Sequence, residues 1–135
     1  MCGLVGVFGS LDPKTIVQSM NDKIVHRGPD GDGYWHRGDS AIGHRRLSII
    51  DIENGAQPMI SNNGDWVVAF NGEIYNYKQL KSERYHDYEY RTDSDTEVIL
   101  AGLEFESENC FSPIIGIDGK QQYFPKSPKR IFIFE

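Results

Sequence analysis

At 135 residues the chain has room for one domain with a real core and too little for two ordinary ones. Its 20 acidic against 14 basic residues, a net charge of −6, argue against a nucleic-acid partner, because phosphate binding wants a basic face. A hydrophobic share of 39% and a charged share of 25% are ordinary for a soluble globular protein; with no membrane-length apolar run and no signal-peptide pattern, a cytoplasmic protein is the expectation.

Residues 2–9, CGLVGVFG, read as a short apolar strand in which three glycines allow close packing. Their spacing matches neither the dinucleotide fingerprint nor a phosphate loop. Asp12 and Pro13 then set a helix start, with Asp12 as N-cap. Ile16, Val17, Met20, Ile24 and Val25 supply an apolar stripe at helical spacing. Gly28-Pro29 ends that helix, and residues 30–39 read as loop and hairpin.

Strands are expected over Ala41 to His44, Leu47 to Ile50, and Trp66 to Phe70. Asn71-Gly72 alone predicts a type I′ turn, with Glu73 to Tyr75 returning as a strand. Tyr77 to Arg84 reads as a helix capped by Asn76. Ser94 and Glu97 have capping-box spacing for a further helix to about Phe105. This mixed, irregular order points to an α+β fold. After Phe105 the pattern changes, and the proline-broken tail 106–135 offers no site. Its apolar run Ile131 to Phe134 reads as a strand that needs a partner.

Cys2 is the most informative residue. Removal of the initiator methionine would place its thiol beside a free α-amine, which titrates at about 7.7–8.0 and so can accept the thiol proton near neutrality. Taken alone, Cys2 reads more readily as a small buried apolar residue of the first strand than as a nucleophile. Cys2 and Cys110 could form one disulfide, but nothing else suggests a secreted scaffold. His26, Arg27, Asp30, His36 and His44 include no pair at zinc-motif spacing, so no metal is expected.

The opening MCGLVGVFG, HRGPDG from His26 to Gly31, HRRLSIID from His44 to Asp51, FNGEIYN from Phe70 to Asn76, and TDSDTEVIL from Thr92 to Leu100 occur in that order. Together they resemble the glutaminase domain of asparagine synthetases, a branch of the class II glutamine amidotransferases. The resemblance covers residues 1–105. It implies the αββα sandwich of N-terminal nucleophile hydrolases, incomplete at the C-terminus, and hydrolysis of L-glutamine to glutamate and ammonia through a thioester on Cys2.

By the same resemblance, Asn71 (side-chain amide) and Gly72 (backbone N–H) form the oxyanion hole. Arg46, rather than its neighbour Arg45, binds the substrate α-carboxylate through a bidentate fork. Glu73 and Asp95 hold the α-amino group, although Asp95 fits a helix-start role as well. No cofactor is implied for this chain. ATP and magnesium belong to the synthetase domain of the family, which amidates aspartate, has no counterpart here and could be a separate subunit. The loss of family pattern across residues 106–135 suggests a frameshift, a truncated gene or an alternative end. An inactive fragment and a non-catalytic glutamine-binding module are the alternative readings.

Overall fold

The computed structural model describes residues 2–47, 55–116, 121–124 and 130–134, the last two stretches by their backbone alone. Strand β1 (Gly3–Val7) leads to helix α1 (Pro13–Lys23), which starts where Asp12 and Pro13 require: the Thr15 N–H donates to the Asp12 carboxylate at 3.3 Å. A single 3₁₀ turn (Val25–Arg27) follows. Strands β2 (Gly31–Arg37) and β3 (Ser40–Arg46) form a hairpin, whose first strand takes most of the stretch read as loop and hairpin. These strands build an antiparallel sheet in the order β1-β3-β2, with Leu4 opposite His44 and Trp35 opposite Ile42. The strand expected over Leu47 to Ile50 lies, from residue 48 on, outside the described residues.

The second sheet comprises β4 (Met59–Ile60), β5 (Trp66–Phe70), β6 (Gln121–Phe124) and β7 (Arg130–Phe134), in the order β4-β5-β7-β6. The apolar run at 131–134 does find a partner: β7 pairs in parallel with β5 from Trp66↔Arg130 to Phe70↔Phe134. Strand β5 is thus paired on both edges and buried on both faces. Trp66, Val68 and Phe70 pack with Val98, Ile99 and Leu103 of helix α3 (Glu97–Glu106). Val67 and Ala69 meet Ile42, Leu4 and Trp35 of the first sheet. Helix α1 lies on the other face of that sheet, against β1 and β3. The domain is mixed α+β, with helices outside and two sheets meeting between them.

Several local expectations are corrected. In α1 only Val17 of the apolar stripe is buried within the helix, while Ile16 and Met20 are 43% and 36% exposed; the inward face is Pro13, Val17 and Asn21. The Asn21 side-chain amide donates there to the His44 carbonyl at 3.5 Å, and its main-chain carbonyl receives Arg45 Nε at 3.0 Å. Asn71-Gly72 makes no type I′ turn. That turn needs positive φ at both residues, and neither has it. The chain runs on to Ile74, which bridges Gly116 instead of returning along β5.

The Ser94–Glu97 capping box also fails to form, since α3 begins at Glu97 with Thr96 as N-cap. The fully buried Glu97 carboxylate reaches back to the Arg91 N–H at 2.9 Å and the Thr92 N–H at 2.8 Å. Asn76 precedes α2 (Tyr77–Gln79), which widens into a π-helical turn over Leu80–Arg84. Its side chain does not cap that helix. It ties the 113–115 segment, donating to the Pro113 carbonyl at 2.8 Å and accepting the Ile115 N–H at 2.9 Å.

Candidate functional site

Strand alternation sorts the two neighbouring arginines. Arg45 turns toward α1, where its guanidinium pairs with Asp22 at 2.9 Å. Arg46 turns the other way and lines a cleft of about 450 Å³ together with His44, Asp30, Asp32 and Gln57. The HRGPDG stretch frames this cleft. Pro29 bridges Arg46, and the Asp30 N–H donates to the Arg46 carbonyl at 3.0 Å. Cys2 is half-buried at the entry to β1, where the Leu47 N–H donates to its Sγ at 3.4 Å. The thiol is therefore fixed beside the residue that follows Arg46. Cys2 and Cys110 are not joined in a disulfide.

The remaining candidates gather at the exit of β5. Asn71, Gly72 and Glu73 form the loop that leaves it. Gly72 is needed there, because a Cβ at this position would lie 2.7 Å from the Phe70 ring. Asp95 is buried, and its Oδ2 accepts the Ile74 N–H at 2.8 Å, so it holds the far end of the same loop. Burial pushes the Asp95 carboxyl above the usual carboxylate range, while N–H donors from Ile74 and Thr96 pull it back.

Two residues join these groups. The Phe70 N–H, one residue before Asn71, donates to Gln57 Oε1 at 2.6 Å, and Gln57 shares the cleft with Arg46. His44 shares that cleft too, and the Phe70 backbone lies against its ring. Sequence reasoning assigned Gln57 nothing, because a lone glutamine before a proline carries no spacing signal.

His44 is fully buried, and among the described residues neither ring nitrogen makes a hydrogen bond of good geometry. Desolvation lowers its pKa to about 4; the Arg46 charge acts the same way and the nearby Phe70 backbone opposes it. In the unfolded chain an imidazole titrates near 6.5. Between these values the unfolded chain takes up a proton that the folded chain refuses. The contribution of neutral His44 is thus complete above about pH 6.5 and lost as pH falls toward 4. Taking the protein from pH 8 to pH 5 should cost about 2 kcal/mol through this group. Asp95, with its raised pKa, works in the opposite direction. The quantity to measure is therefore the urea-unfolding difference between the two pH values in wild type minus that in His44→Phe. An equal pH response in both would remove His44 as its source.

Among the described residues, no His, Cys, Asp or Glu group of three is placed to hold a metal ion, and no helix is long and apolar enough to cross a membrane.

The sequence pattern described as "Glutamine amidotransferase domain" matches residues 1–118. The chain is similar to asparagine synthetase [glutamine-hydrolyzing] 1 of Bacillus subtilis (strain 168), 46% identical over 124 residues, which covers 87% of this chain and 20% of that protein. It is similar also to asparagine synthetase B [glutamine-hydrolyzing] of Escherichia coli (strain K12), 41% identical over 108 residues, 75% of this chain and 19% of the relative. A plant relative, the asparagine synthetase [glutamine-hydrolyzing] of Asparagus officinalis, is 38% identical over 121 residues, 87% of this chain and 20% of its own length. The chain spans about a fifth of the length of these relatives.

Proposed function

The chain belongs to the glutamine amidotransferase domain family, and from that premise we propose that it hydrolyses L-glutamine to glutamate and ammonia through a thioester on Cys2. The observation that carries this reading is the position of the thiol. Cys2 is held by Leu47, next to Arg46, whose guanidinium lines a cleft of about 450 Å³.

Arg46 takes the α-carboxylate of glutamine, and Glu73 and Asp95 face its α-ammonium group. The Cys2 thiol gives its proton to the α-amine freed by removal of Met1, and the resulting thiolate attacks the side-chain amide carbon. The oxyanion is stabilised by the Asn71 side-chain amide and the Gly72 N–H. As the carbon–nitrogen bond breaks, the proton moves from the α-amine to the departing ammonia and leaves the thioester. Water then cleaves the thioester, giving glutamate and restoring the thiol.

The layering supports an N-terminal nucleophile hydrolase architecture: α1 on the first sheet, the two sheets joined through Ile42, Val67 and Ala69, and α3 on the second. The ammonia would serve ATP-dependent amidation of aspartate by a synthetase unit. The relatives, of which this chain spans about a fifth, are named as glutamine-hydrolyzing asparagine synthetases.

The test is glutamate release from L-glutamine, with the intact mass recorded after treatment with a diazo-ketone analogue of glutamine. One adduct on a chain lacking Met1 is expected. Arg46→Met should raise KM by tenfold or more, since a hydrogen bond to a charged group contributes about 1.5–3 kcal/mol. A folded chain that releases no glutamate and takes no adduct would leave a family member without the activity.

A further inference from the structure

The loop bearing Asn71 and Gly72 is held at both ends by side chains, and the two holds are linked. At its start the Phe70 N–H donates to Gln57 Oε1 at 2.6 Å. At its end the Ile74 N–H donates to Asp95 Oδ2 at 2.8 Å. Gln57 Nε2 in turn donates to the hydroxyl of Thr96, the neighbour of Asp95, at 3.1 Å. One side chain thereby uses both ends of its amide to join the exit of β5 to the start of α3.

The register shows why a side chain is needed here. Strand β4 pairs with β5 through Met59↔Val68 and Ile60↔Val67. Continued backwards, the same register sets Gln57 opposite Phe70. The main-chain acceptor that this pair would offer is turned elsewhere: the Gln57 carbonyl lies against Gly33 of β2, where a Cβ would come 1.9 Å from its oxygen. The Gln57 side chain supplies an acceptor where the main-chain ladder has ended. Phe70 is buried, and a buried N–H without a partner is costly.

The geometry points to Gln57 as a positioning residue that, with Asp95 and Thr96, fixes the Asn71–Glu73 span so that its donors meet the carbonyl oxygen of bound glutamine. This rests on the oxyanion role proposed above for Asn71 and Gly72. Gln57 also lines the cleft, so direct substrate binding is the competing role. The two separate in the kinetics: a positioning residue moves kcat, whereas a binding residue moves KM.

Gln57→Met keeps the length and most of the volume of the side chain but removes both hydrogen bonds. The expected result with L-glutamine is a fall in kcat of about 10²-fold, the scale of a 1 Å misplacement, with KM within about twofold of wild type. Alkylation of Cys2 by iodoacetamide, mapped by peptide mass, needs no oxyanion hole and should keep its wild-type rate. A collapse of the site would slow both reactions. Unchanged kcat, raised KM alone, or equal losses in hydrolysis and alkylation would each overturn the inference. If Gln57→Met does not fold, Thr96→Val removes the far anchor of the amide together with the hydroxyl's bond to Asp95. A fall in kcat of several-fold with unchanged alkylation supports the assignment, and an unchanged kcat overturns it. A wild-type chain that neither hydrolyses glutamine nor takes the diazo-ketone adduct overturns the site reading and this inference together. A hydrolysing wild type with an unaffected Gln57→Met overturns this inference alone.

Discussion

Cys2→Ala is expected to release no glutamate or ammonia from L-glutamine above background, a loss on the order of 10⁶ in kcat by the scale of other nucleophile deletions. Its folding should be barely touched. Cys2 is half-buried ahead of β1, and what it gives up is a pair of weak sulfur contacts to Leu47, at 3.4 and 3.6 Å. The unfolding midpoint in urea should therefore stay within about 1 kcal/mol of wild type. Asn71→Ala separates the second part of the chemistry. It removes one oxyanion donor and leaves the thiol in place, so kcat should fall by about 10²–10³-fold while Cys2 still takes the diazo-ketone adduct. Residual hydrolysis by a Cys2→Ala chain at a rate near wild type would rule out the thioester route, whatever the family. Full activity in Asn71→Ala would move the oxyanion hole elsewhere.

The residues of this site were legible as a linear pattern well before their geometry was. Asp12-Pro13 and the WVVAF run fix α1 and β5 through local chemistry, a cap and a β-branched strand, and both form where expected. The choice of Arg46 over Arg45 rested on the motif; in the structure strand alternation sends one to α1 and the other to the cleft. The failures share one cause, competition from distant partners. Asn71-Gly72 has turn chemistry, but β5 already pairs with β4 and β7, and the loop after it is claimed by Gln57 and Asp95. Asn76 was suited to capping, yet the 113–115 segment uses its amide. Glu97 was suited to a capping box, yet the Arg91 and Thr92 N–H groups take its carboxylate. Asn76 and Glu97 are polar side chains whose local option loses to a contact at least five residues away, and local pattern cannot rank such options. Gln57 was invisible for the same reason, since its work lies entirely at Phe70 and Thr96.

Gly28→Ala should be strongly disruptive for a single added methyl, and its neighbour Gly31 supplies the control. A Cβ at Gly28 would lie 2.4 Å from the Arg45 carbonyl carbon and 2.5 Å from both the Arg45 oxygen and the Arg46 nitrogen. These are backbone atoms in a central strand, so no rotamer can relieve the overlap and the strand or the loop must move. Moving the loop breaks the Asp30 N–H bond to the Arg46 carbonyl and the Pro29–Arg46 bridge, the contacts that hold HRGPDG over the cleft. The cost should be about 3 kcal/mol or more, at the upper end for overpacking. A Cβ at Gly31 meets nothing within 4 Å, and an alanine in a strand loses less chain entropy on folding than glycine. Gly31→Ala should therefore unfold within about 1 kcal/mol of wild type. Urea midpoints of the two variants decide the matter. If both are equally mild, HRGPDG does not bear on Arg46 as the packing requires, and the cleft owes its shape to other contacts. If Gly28→Ala alone is severe, the motif is there to seat a loop against the strand that carries the arginine, with its histidine and aspartate riding on that fit.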